Sequence, residues 1–64
     1  MDTVIPNELR WRLINDLNDI WCSLEHLKEN VADYDDELTI KLYAVQKEVI
    51  DLKALDRCIP DELK

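Results

Sequence analysis

The chain contains no glycine, no phenylalanine and only two prolines among its 64 residues. Tight β-hairpin turns draw on glycine for positive φ, so its complete absence speaks against a sheet-rich fold. It also leaves no glycine-rich loop to cradle a phosphate, and no glycine for the sharp turn of a calcium loop. Long apolar runs are missing too: nothing approaches the roughly 20 residues needed to cross a bilayer. The first residues, Met1-Asp2-Thr3-Val4-Ile5-Pro6, lack the basic-then-apolar pattern of an export signal, so a cytoplasmic location without membrane contact is expected.

What is present suits helices. Leucine, isoleucine, glutamate, aspartate and lysine dominate, and 47% of the residues are hydrophobic, enough to require burial. Acidic residues outnumber basic ones 15 to 8, for a net charge of −7. Such a field repels phosphate backbones and anionic surfaces, which disfavours nucleic acid as a direct partner.

Apolar residues recur at Leu13, Leu17, Ile20, Leu24, Leu27 and Val31, alternating steps of four and three as in a heptad seam. Pro6 reads as a start signal and Glu8 complements the positive end of the helix. Asn30 to Asp36 then breaks the pattern, with Asn30 a candidate for a left-handed cap and Asp33 or Asp35 for the next N-cap. A second seam follows at Leu38, Leu42, Val45, Val49 and Leu52, and Pro60 ends it. The expected fold is therefore all-α: an antiparallel two-helix hairpin over about residues 7–31 and 35–58, in one domain, pairing into a four-helix bundle.

Matching the seams layer by layer sets Val31 against Leu38, Leu24 against Val45 and Leu17 against Leu52, with one turn centre between Tyr34 and Asp35. The same register brings Arg10 within reach of Asp56 at the open end. Ile5-Pro6-Asn7-Glu8-Leu9-Arg10 recurs as Ile59-Pro60-Asp61-Glu62-Leu63-Lys64, and the second copy, with so little chain after it, is expected to form a frayed turn.

Two helices of this size cannot bury everything apolar that they carry. Trp11, Ile14 and Trp21 flank the first seam, and Tyr43 and Ile50 the second. Together with Ile20, Leu24 and Val45 they form the expected interface, with Trp21 at its energetic centre and Trp11 as an outer contact. A second copy of the chain is the expected partner, and a foreign protein with a basic surface the next.

Reactive chemistry is sparse. Cys22 and Cys58 fall on the order of 16 Å apart along such a hairpin, too far for a disulfide, and two free thiols fit a reducing compartment. Cys22, His26 and Glu29 share one helix face at ligand-like spacing, but at the outermost heptad positions, where a solvated face is the expectation and no metal is assigned. The acidic tip of Glu29, Asp33, Asp35, Asp36 and Glu37 is read as capping and solvation, with a basic partner as the alternative. With no nucleophile–base pair and no enclosed site, neither catalysis nor a cofactor is expected.

In length and layout the chain resembles the Rop-type hairpins, which dimerise into four-helix bundles and regulate plasmid RNA. That resemblance implies an RNA-binding bundle, whose basic face would have to come from Arg10, Arg12, Lys53 and Arg57. The residues themselves favour a small acidic regulatory or inhibitory module that binds protein, of the kind found in phages and plasmids.

Overall fold

The computed structural model describes residues 4–64. Helix α1 runs Asn7–Val31 and helix α2 runs Asp36–Ala54, and they lie side by side as a helical hairpin. The molecule measures 45 × 20 × 17 Å. Two single 3₁₀ turns, Asp56–Cys58 and Asp61–Leu63, complete the described chain.

Local chemistry sets most of these boundaries. Pro6 stands at the N-cap of α1 in the extended region (φ −55°, ψ 143°), and its carbonyl accepts the Arg10 N–H at 3.0 Å. The connection is closed by the Val31 carbonyl, which accepts from the N–H groups of Tyr34 and Asp35, both at 2.9 Å. Helix α1 ends without a left-handed residue: Ala32 is still right-handed, and no described residue has positive φ. Asn30 therefore stays inside the helix and does not cap it. Asp35 does cap α2, its Oδ1 accepting the Leu38 N–H at 3.0 Å, while Asp36 and Glu37 occupy the favourable first turn.

Helix α2 stops at Ala54, four residues before the expected end. Leu55 turns extended (φ −65°, ψ 127°), and the chain then crosses the open end of the hairpin in its two 3₁₀ turns. Lys53 lies beside Asn18, so α2 ends well short of the first turns of α1, and the residues that follow run on along them. Leaving the helix early lets Pro60 become fully buried. The repeated hexapeptide behaves as a true echo, for Pro60 (φ −58°, ψ 149°) repeats the backbone of Pro6. The segment after Pro60 is consequently an ordered, bonded turn and not a frayed one.

The hairpin is also rotated and slipped relative to the heptad reading. Lys28 lies against Tyr43, Glu25 against Gln46, and Asn18 against Lys53. These pairs share a turn centre between Asp35 and Asp36, one residue later than expected. The stripe that α2 turns inward is Thr39, Leu42, Gln46, Val49 and Lys53, and that of α1 is Arg10, Ile14, Leu17, Trp21, Leu24 and Lys28. Among the described residues, Val49 and Pro60 are the only apolar side chains that are fully buried.

Polar bonding accounts for the slip. Gln46, 2% exposed, accepts from Lys28 Nζ at 2.8 Å and donates to Glu25 Oε2 at 2.8 Å and to the Trp21 carbonyl at 3.3 Å. Lys28 also pairs with Glu25 at 3.3 Å and sits 5.1 Å from the Tyr43 ring centroid. Lys53 donates to Asn18 Oδ1. This ladder satisfies every polar atom of Gln46 only in the observed register, and a one-layer shift would leave a buried amide unpaired.

Candidate interaction surface

The slip changes which residues are left open. Ile20, Leu27, Leu38, Val45 and Leu52, all seam positions of the heptads, are between 42% and 50% exposed. At 3.6 residues per turn, Ile20 and Leu27 lie to one side of the inward stripe of α1, with Leu13, Leu24 and Val31 between. Leu38, Val45 and Leu52 occupy the corresponding side of α2. Asn18, Glu25 and Tyr43, which make the polar ladder, lie on the opposite flank. The sequence's heptad seams thus form one continuous aliphatic face along the hairpin, half covered by the hairpin's own packing.

The residues expected to form a single interface are therefore divided. Ile20, Leu24 and Val45 belong to the aliphatic face. Tyr43 and Ile50, also about half exposed, lie on the ladder side, where Ile50 lines a shallow depression with Asn18, Trp21, Cys22 and Lys53. Ile14 and Trp21 are mostly enclosed between the helices. Trp21 also lines that depression in part, and its buried Nε1 has no hydrogen-bond partner.

Trp11 has a different role. Its Nε1 donates to Glu62 Oε2 at 3.1 Å, as part of a clasp that ties the last turn to the first. Asn7 contributes from both ends of its amide: Oδ1 accepts the Asp61 N–H at 2.9 Å, and Nδ2 donates to the two Glu62 oxygens at 2.9 and 3.0 Å. Arg10, 7% exposed, anchors the clasp. Its Nε donates to the Ile5 carbonyl at 3.0 Å, and its Nη1 to the Ile59 carbonyl at 2.8 Å and Asp61 Oδ1 at 3.1 Å. The ion partner of Arg10 is accordingly Asp61 and not Asp56, which is exposed and faces Lys64 at 3.7 Å. The expected pairing fails because α2 ends before residue 56, so Asp56 no longer projects from a helix toward α1.

The Glu62 carboxyl is held below its ordinary range, first by the Asn7 bonds and then by its own backbone N–H and by Trp11. A depressed acid in the folded state stabilises the clasp above the unfolded pKa and loses that contribution as pH falls through the folded one. The Trp11 indole N–H resonance is expected to hold its neutral-pH shift until the acid side of the usual glutamate range, then move as Glu62 protonates. Titration at the ordinary glutamate value would contradict the bonding described.

The acidic tip is exposed throughout. Asp35 is engaged in capping, and Glu37 meets Lys41 at 3.5 Å in a solvated pair that adds little. Both cysteines are free, Cys22 exposed and Cys58 half-buried. Among the described residues, no group of three histidine, cysteine or acidic side chains is placed to hold a metal ion, and no helix is long and apolar enough to cross a membrane. Of the four cations that a basic face would need, Arg10 is buried in the clasp and Lys53 is bonded to Asn18. No family model, curated protein or solved structure matches the chain.

Proposed function

We propose that this protein is a small, acidic, non-catalytic interaction module that works as a homodimeric helical bundle in the cytoplasm and regulates or inhibits a protein with a basic surface. The observation that carries this reading is the half-covered aliphatic face, because chains seldom leave so long an apolar stripe in contact with water. Net charge supports the choice of foreign partner: at −7, with its tip and outer surfaces rich in carboxylates, the chain attracts basic surfaces and repels acidic ones.

The direct test is capture from a cell lysate on the immobilised chain at low and moderate salt, followed by reconstitution with the purified partner. A basic protein whose affinity falls with added salt, and falls again when Asp33 and Asp36 are changed to lysine, is the expected result. If the chain retains only copies of itself under low-salt conditions, the regulatory reading is overturned.

A further inference from the structure

We infer that the second copy docks on the face formed by Ile20, Leu27, Leu38, Val45 and Leu52, leaving the Tyr43 and Ile50 side outside the joint. This inference rests on the homodimer proposed above and names the surface that makes it. The interface expected from the sequence mixes residues of both sides, Ile20 and Val45 of this face among them, and the polar ladder is what separates the two.

In a four-helix bundle each helix directs its seam residues toward the common axis, and its contact with a neighbouring helix lies to one side of that seam. One hairpin removed from such a bundle would show seam residues half covered and half open. That is the state of these five side chains, at 42% to 50% exposure, on both helices and along their whole overlap. The seam positions from Leu13 to Val31 on α1 and from Leu38 to Leu52 on α2 are all aliphatic, with Asp16 and Lys41 along their outer edge. Two such faces can meet along aliphatic centres, with Asp16 and Lys41 of each copy left at the rim.

Size agrees with a second copy as the occupant. The helices overlap over about 28 Å at 1.5 Å per residue, and the molecule is 20 Å across its wider short axis. The face is therefore on the order of 600 Å² in projection, close to the roughly 800 Å² of accessible surface that each partner buries in a standard stable interface. It is also aliphatic on both helices, so the same surface is its own complement, as a twofold interface requires. The ladder side lacks these properties. Covering it would bury Glu25, Lys28 and Lys53, whose hydrogen bonds are already made within the chain.

Sedimentation equilibrium of the full chain and two variants tests the assignment. Val45→Glu, on the aliphatic face, is expected to raise the dimer dissociation constant by about a hundredfold or more, and Ile50→Glu, on the ladder side, by less than about threefold. Because a buried charge can also unfold a small hairpin, a gentler pair is measured alongside: Ile20→Cys and Ile50→Cys, each with both native cysteines changed to serine. Maleimide labelling of the first is expected to slow at least tenfold as protein concentration rises through the dissociation constant, with the second unchanged. Slowing at position 50 and not at position 20 would overturn the face assigned here and leave the homodimer standing. A parent chain that sediments as a monomer up to about a hundred micromolar would overturn both.

Discussion

Replacing Arg10 with alanine is expected to lower stability by about 2–3 kcal/mol, a large fraction of what a hairpin of this size has available. The guanidinium makes three hydrogen bonds from a nearly water-free position, two of them to the backbone carbonyls of Ile5 and Ile59. Bonds from an ionised donor exceed the average in strength, and their loss also leaves those part-buried carbonyls without this donor. The Asp61 carboxylate, by contrast, is 69% exposed, so the ion pair itself contributes little. Two variants separate these terms. Asp61→Asn should cost well under 1 kcal/mol, whereas Arg10→Lys, which keeps the charge but loses the planar fork, should recover less than half of the alanine loss. Urea denaturation at one fixed protein concentration measures all three. An alanine variant within about 0.5 kcal/mol of the parent would show that the clasp contributes nothing to the fold.

The second large effect concerns Gln46. Gln46→Glu removes the two N–H donors that reach the Trp21 carbonyl and Glu25, and sets two carboxylates together in a site that is 2% exposed. Lys28 can neutralise only one of them. A cost of about 2–3 kcal/mol is expected at neutral pH. The introduced acid has its folded pKa raised above the unfolded value, so the penalty applies in full above the folded pKa and disappears below the unfolded one. Stability relative to the parent should therefore improve on acidification, while Gln46→Leu should show no such relief and remain within about 1 kcal/mol of the parent, since Glu25 and Lys28 stay paired at 3.3 Å. A pH-independent deficit in the glutamate variant would mean that the damage is steric and not electrostatic.

These two residues also show how far sequence reasoning reached. The alternating steps from Leu13 to Val31 and from Leu38 to Leu52 identified helices α1 and α2 and the connection between them, and Asp35 was recognised as a candidate cap. Periodicity reports which residues prefer burial, but not what covers them. The seam reads as the hairpin's own interior, which the structure builds from only part of it, Leu17, Leu24, Leu42 and Val49, together with Gln46, Lys28 and the enclosed part of Trp21. A trace of this was legible: Thr39, Leu42, Gln46, Val49 and Lys53 also step by three and four, sharing Leu42 and Val49 with the apolar repeat and taking the next residue after Leu38, Val45 and Leu52. Polar residues such as Thr39, Gln46 and Lys53 read as solvent-facing until their hydrogen-bonding partners are known. The clasp was hidden for a related reason. The repeated Ile-Pro-x-Glu-Leu marked both ends, but joining Asn7, Arg10 and Trp11 to Asp61 and Glu62 requires α2 to stop at Ala54, and nothing in the composition around Leu55 signals that stop.

The clasp has a kinetic consequence as well. The helices meet across a connection of a few residues, so their contacts can form early and at small entropic cost. Bonds from Asn7 and Arg10 to Asp61 and Glu62 span more than fifty positions and can close only once both helices are laid down. Contacts made after the rate-limiting step leave the folding rate almost unchanged and act on the reverse one. The turn at Pro60 therefore works as a latch: it has little influence on how quickly the hairpin assembles, and it governs how long an assembled hairpin lasts.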